Sequence, residues 1–458
     1  METTLIRGGT VVLDQMVAKQ DLLLRGEKIA AVGELGDYPA DTIIDASGLL
    51  VLPGGVDTHV HFNDVFMNTI SVHDYYSGTL AAVHGGTTSC IDFSNQAPGA
   101  TLMSTIATKK QEAAGLALID YGIHPVITQP TEATLDEIAQ VVAAGAPTIK
   151  CYMTYRDEGL LIETPDLLRI LARLRDAGGM LMVHAEDNDL AEASIPQFLE
   201  SGRTSPIYHA ESKPIAVENR AIERCIEMVA EVGGRLFIVH LTTAEGVAMV
   251  GAARGAGLDV LAETCTHYLI YTDEMLRRPD GIKWICSPPL RDERAQAALW
   301  QGLKDGRLVQ VTSDDAAYSW EATQYGQDRF DLCPNGMPGI EPRFMLLYSA
   351  GVAGGRISLP RFVELVAANP AHIYGMTSKG SLHPGKDADI VLLDPNVEWV
   401  MGQANSHSSN DWHAYEGQRI TGRITRVLSR GATVIRDGQL VADRGRGRYI
   451  HRTLPETI

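Results

Sequence analysis

Apolar positions along the chain show two textures. From about residue 53 to residue 315, short apolar runs alternate with longer stretches whose apolar residues recur every three or four positions. The runs are Val56–His59, Thr88–Phe93, Tyr121–Val126, Thr148–Tyr152, Met180–His184, Leu236–His240, Val260–Thr264 and Leu308–Thr312. Near-continuous apolar runs of this length suit strands covered on both faces. The stretches between most of them carry helix signals. Thr164-Pro165-Asp166 supplies a capping hydroxyl, a proline at the first helical position and an acid in the first turn. Leu167, Leu168, Leu171 and Leu174 then share a face, and Gly178-Gly179 ends the helix. Thr242-x-x-Glu245 reads as a capping box after the sixth strand. Eight strand–helix alternations predict an α/β fold of the (β/α)8, TIM-type barrel class. An open doubly wound sheet is the alternative, and the lack of G-x-G-x-x-G after an early strand weighs against it.

The ends of the chain differ. Leu5–Arg7, Thr10–Val12, Asp21–Leu24 and Lys28–Val32 are short strand signals broken by glycines, and Ala388–Asp394, Val427-Leu428 and Thr433–Gly438 repeat the texture. This predicts a small β-sandwich domain from residues 1–52 plus 378–458, with a barrel of residues 53–377 inserted into it. Two connections exceed the usual strand–helix spacing: about Asp187 to Arg235, and Ala316 to about Pro342 with Tyr318, Trp320 and Tyr325. Long connections of this kind are often active-site lids.

Composition narrows the function. With 45% apolar and 21% charged residues, the chain has the profile of a soluble globular enzyme. A net charge of -18 argues against nucleic acid or an anionic membrane as partner. No membrane-length apolar stretch and no signal-peptide pattern at Met1-Glu2-Thr3-Thr4 are expected. The six cysteines are scattered without a C-x-x-C pair, which fits reduced thiols in a cytoplasmic protein.

The chemistry gathers at predicted strand ends, where barrel enzymes work. His59 and His61 lie two apart on the first strand, and a strand's period of two puts them on one face. Lys150 lies near the end of the fourth strand, His184 closes the fifth, His240 the sixth, and Asp314 follows the eighth. Each residue alone has an ordinary explanation. Together, at equivalent positions of separate repeats, they read as a metal site. Imidazole and carboxylate suit zinc, iron, cobalt, nickel or manganese. An ammonium cannot ligate, so Lys150 fits only if CO2 has converted it to a carbamate, whose two oxygens could bridge two cations. Two cations also account for more ligands than a single catalytic zinc uses.

The order His-x-His, Lys, His, His, Asp resembles the amidohydrolase superfamily, and most closely its D-hydantoinase/dihydropyrimidinase group. Gly54–His61, His184-Ala185-Glu186, Ala262–Thr266, Ser287–Asp292, Pro334-Asn335-Gly336 and Gly385–Asp389 are similar to that group's motifs, across nearly the whole chain. The resemblance implies two divalent metal ions, zinc first, with manganese, cobalt or iron as alternatives. His59, His61 and Asp314 would hold the more buried ion, His184 and His240 the second, and carboxylated Lys150 both. It implies that Tyr155 bonds the substrate carbonyl and then the oxyanion, and that backbone groups of Ser287 and Asn335 hold the ureide edge. Asp314 would shuttle the proton from water to the leaving nitrogen. The implied reaction opens a 5-substituted hydantoin, of D configuration, to an N-carbamoyl amino acid, in a homotetramer or homodimer.

Two stretches depart from the pattern or leave the substrate open. Asp315 stands where relatives commonly carry His, Asn or Gln, and is expected to point off the barrel axis. Phe62–Ser71 and Met153–Leu160 match loops that shape the substituent pocket, and Phe62, Phe66, Met67 and Leu160 predict an apolar wall. A dihydropyrimidine, allantoin or a cyclic imide is the alternative substrate. Relatives without catalysis, the collapsin response mediator proteins, act as binding scaffolds, but they have lost metal ligands and this chain keeps all six positions.

Overall fold

A computed structural model describes residues 1–456. Its centre is a ring of eight parallel strands paired in chain order: β1 (Gly55–Val60), β2 (Thr87–Asn95), β3 (Asp120–Val126), β4 (Thr148–Tyr152), β5 (Met180–His184), β6 (Arg235–Ile238), β7 (Val260–Cys265) and β8 (Gln310–Thr312). The β3–β4 ladder is reduced to the Val126–Lys150 pair, and the β8–β1 seam has no ladder. A bridge between Val60 and Asp315 spans it, with Asp315 O accepting from His61 N at 3.0 Å. The predicted (β/α)8 barrel is therefore present, nearly closed, with helices around it.

The inner face is packed as period two requires. Ile91 and Phe93, Met180 and Met182, and Phe237, Leu261, Val126 and Tyr152 form one buried cluster, plugged by Tyr374 and Met376. The same alternation carries Lys150, His184 and Glu263 inward on β4, β5 and β7. A separate core lies between strands and helices, and there Leu167, Ile170, Leu171 and Leu174 of the helix Thr164–Ala177 are fully buried.

Both predicted helix starts need correction. Glu163, without a side-chain bond, occupies the cap of Thr164–Ala177, and the proline helps set the first turn instead. At the other helix, Thr243 rather than Thr242 is the cap, accepting from Gly246 N at 3.0 Å. Thr242 is turned away because its N–H and hydroxyl both donate to the buried Glu218. The end of the first helix is as read: Gly178 is left-handed at φ 76°.

Both termini build one nine-stranded mixed sheet. Its join is Leu50–Pro53, parallel to Thr3–Leu13 on one side and antiparallel to Ile390–Val400 on the other. Ile6, Val11, Leu22, Ile29, Ile44, Ile390, Leu392 and Leu428 form its own apolar core. The long connection after His184 is a folded layer of three helices, Asn188–Glu200, Ile207–Ser212 and Ile215–Val232, rather than a loose lid. Among the described residues no helix is long and apolar enough to cross a membrane.

Candidate metal centre

The C-terminal rim of the barrel gathers His59, His61, Lys150, His184, His240 and Asp314 around one cleft. Reaching it takes local devices as well as alternation. Val56 faces the barrel interior, and Thr58 Oγ1 accepts there from Gln310 Nε2 at 2.8 Å, so simple alternation would turn His59 outward. The β1–β2 register shifts between Asp57 and Val60, and this irregularity turns His59 and His61 to the axis. Just past β6, Val239 packs in the inner cluster, and a left-handed φ of 40° brings His240 round to the cleft. Asp314 (φ 48°) and Tyr155 (φ 65°) are likewise left-handed. Such backbone is held only where the surroundings over-determine it.

Asp314 and the first histidine pair meet directly. His59 Nε2 lies 2.9 Å and His61 Nε2 3.5 Å from Asp314 Oδ1. Ligand atoms of His59, His240 and Asp314 all fall within 4.8 Å of one another. The His184 ring centroid is 4.4 Å from that of His240. Burial would raise the Asp314 carboxyl, but His59 and His61 outweigh it and hold it well below the usual carboxylate range.

The ring nitrogens facing away are held by carboxylates. His59 Nδ1 is 2.6 Å from Glu263 Oε1, His61 Nδ1 is 2.9 Å from Asp64 Oδ2, and His184 Nε2 is 2.8 Å from Glu186 Oε2. Each carboxylate fixes a tautomer and leaves the other nitrogen, with its lone pair, for a cation. Burial disfavours an ionised Glu186, yet Lys213 and His184 bring its carboxyl down to about 2.

Two orphans test whether cations fit. Lys150 Nζ is buried with no hydrogen-bond partner, and the ring centroids of Phe93 and Tyr152 each lie 4.8 Å from it. Burial lowers its amine to about 8, with Asp314 and Glu263 opposing. His240 Nδ1 is also buried and unpartnered. Unsatisfied buried polar groups are costly. A carbamate on Lys150, with cations between it and the imidazoles, would satisfy both, so the donor set fits the expected metals.

Around this set lie Asp64, Phe66, Asn95, Tyr152, Tyr155, Leu160, Ser287, Ala316, Tyr318 and Asn335. Tyr155 Oη accepts from Asn335 Nδ2 at 3.3 Å. Burial pushes the Tyr155 phenol far up, so it stays protonated and able to donate. Ser287 Oγ accepts from Lys213 Nζ at 2.6 Å.

The expected apolar wall is only half there. Phe66 and Leu160 line the cleft, but Phe62 is fully buried in the outer core against Tyr75. Met67 is not among the lining residues. Of Tyr318, Trp320 and Tyr325 in the connection after β8, only Tyr318 reaches the cleft; Trp320 packs on Trp412, and Tyr325 is exposed. Asp315 faces away, as expected: its Oδ2 is 2.6 Å from His73 Nδ1, and its Oδ1 accepts from the N–H groups of Gly339 and Ile340. Sequence reasoning assigned no role to Asp64, Asn95, Lys213, Glu186 or Glu263. Glu186 and Glu263 lie inside the motifs that carry the family resemblance, and inward parity on β7 marks Glu263. Nothing in the spacing signals Asp64 or Asn95.

Comparison with known proteins adds an independent line. The amidohydrolase family profile matches residues 50–434. The chain is 38% identical over 457 residues to a D-hydantoinase of Geobacillus stearothermophilus, covering 98% of this chain and 96% of the relative. It is 39% identical over 454 residues to a D-phenylhydantoinase of Escherichia coli O1:K1, covering 98% of each. Among solved structures, the dihydropyrimidinase of Brevibacillus agri superposes with a TM-score of 0.97 at 38% identity, covering 100% of both chains.

Proposed function

The chain belongs to the amidohydrolase family, and from that premise we propose that it opens the ring of 5-substituted hydantoins, of D configuration, to N-carbamoyl amino acids. The observation that carries this is the gathering of four imidazoles, one carboxylate and an unpartnered buried lysine at the rim of one barrel. His59, His61 and Asp314 would hold one divalent cation and His184 and His240 a second, with carboxylated Lys150 reaching both. Zinc is the first candidate, and manganese, cobalt or iron would suit the same donors. When bound, such ions supply Lewis acidity at a carbonyl oxygen and ready deprotonation of water at neutral pH.

The chain's own groups do the rest. Asp314 is ionised at neutral pH, so its carboxylate can take the proton of the attacking water and return it to the leaving ring nitrogen. The Tyr155 hydroxyl, steadied by Asn335, donates to the ring carbonyl oxygen and strengthens that bond as negative charge grows there. Ser287 and Asn335 line the cleft, and their backbone groups would read the alternating donors and acceptors of the ureide edge. Six buried, unpaired cysteines support a reducing, cytoplasmic setting.

The test is a side-by-side assay of hydantoin, dihydrouracil, allantoin and succinimide, with products identified. Carbamoyl amino acid from hydantoins supports the proposal. Preferential opening of dihydrouracil, allantoin or succinimide reassigns the substrate. No hydrolysis of any ring by metal-replete protein overturns it.

A further inference from the structure

We propose that the substituent side of this cleft is a cation-selecting pocket, built from Asp64, Asn95 and a ring of aromatics, that favours hydantoins whose 5-substituent ends in an ammonium or guanidinium group. This rests on the hydantoin-opening reading above.

The Asp64 carboxylate lines the cleft with 14% of its side chain exposed. Oδ2 accepts from His61 Nδ1 at 2.9 Å and Oδ1 from Asn95 Nδ2 at 2.8 Å. A backbone bond from Asp64 N to Ser71 Oγ at 2.9 Å pins the loop that carries it. Each carboxylate oxygen can accept about two bonds, so both retain capacity. Asn95 is oriented by the same contact: its Nδ2 is committed to Asp64, which leaves Oδ1 as acceptor. That Oδ1 is buried and has no partner. Two acceptors side by side, one anionic and one unsatisfied, call for a donor that the protein does not supply.

The surroundings match a cation. Phe66, Tyr152, Tyr155 and Tyr318 line the same cleft, with Phe66 edge-on to Tyr155 at 4.9 Å between centroids. Aromatic faces attract cations, and more strongly once water is excluded. Besides the four histidines assigned to the cations, Lys150 is the one basic side chain among the lining residues, and as a carbamate it would be anionic. An ammonium on a short alkyl stem would meet Asp64 and Asn95 Oδ1 with its head and Leu160 and the rings with its methylenes. A carboxylate there would face the Asp64 carboxylate directly.

Asp64 could instead serve only to orient His61. A comparison between substrates separates the two roles, because loss of metal lowers turnover of all substrates together. The experiment measures kcat/KM for unsubstituted hydantoin and for 5-aminoalkyl, 5-alkyl and 5-carboxyalkyl hydantoins of matched length. It uses the native protein, Asp64→Asn and Asn95→Leu, with metal content determined for each. The native protein is expected to favour the aminoalkyl over the alkyl substrate at least tenfold, with carboxyalkyl the poorest. Asp64→Asn should bring that ratio close to one, and Asn95→Leu should lower it severalfold. A native ratio of one or less, or a ratio unchanged in Asp64→Asn, overturns the proposal. The native ratio decides the matter if a variant fails to fold. Failure to open unsubstituted hydantoin would instead count against the underlying reaction.

Discussion

The carboxylate of Asp315 lies 2.6 Å from Nδ1 of His73, both side chains fully buried, while its neighbour Asp314 faces the opposite way into the cleft. Consecutive acids thus serve separate purposes: one belongs to the site, the other ties the strand-eight loop to the segment after β1. Removing one partner of a buried ion pair costs about 3–5 kcal/mol. Asp315→Asn should lower stability on that scale while leaving metal bound per folded chain unchanged, as denaturant melts with metal analysis would show.

Much of this was legible beforehand. Eight apolar runs mark the eight strands because a strand covered on both faces has almost no polar positions. The ligand positions stood out because barrel repeats bring equivalent strand ends to one rim. The register shift in β1 and the left-handed turn at His240 were not legible, since neither has a composition signature. Thr242 and Thr243 are adjacent hydroxyls, and only the burial of Glu218 decides which one caps the helix. The wall of the cleft was misread for a similar reason. Phe62 and Asp64 sit two apart on an irregular loop, where alternation does not say which one faces the substrate.

Glu263 holds His59 through its Nδ1 at 2.6 Å and also accepts from Gln310 Nε2 at 2.5 Å. Losing the anion should weaken orientation of the imidazole without removing a ligand. Glu263→Gln is expected to reduce metal affinity by about 10–100-fold, the usual effect of such a partner. Competition with a chromophoric chelator would measure it.

The proposed role of Tyr155 is to donate to a developing oxyanion. Tyr155→Phe should lower kcat by about 10²–10³-fold, as when one such donor is lost. Metal content should stay at the native level. A fall in metal content of the same size would point to a structural role instead.

His209 gives the fold a pH signature. It is buried, with Nε2 2.8 Å from Cys286 O, and burial, then Lys213, lowers it to about 3. An unfolded histidine titrates near about 6.5. Below that value the unfolded chain takes a proton that the folded one refuses. Stability is therefore full above pH 6.5 and falls by at most about 1.4 kcal/mol per pH unit as pH drops toward 3. His209→Gln, which can still donate to Cys286, should flatten the decline of Tm with pH between about 6 and 4.

The proposed reaction depends on Lys150, four histidines and Asp314 together holding a pair of cations. The most direct measurement is metal bound per chain in native protein and in Lys150→Ala, each paired with hydantoin turnover. Two ions per chain in the native protein, with both metal and turnover collapsing in Lys150→Ala, is the predicted result. Full turnover in a Lys150→Ala protein, or in native protein stripped of metal, would contradict it.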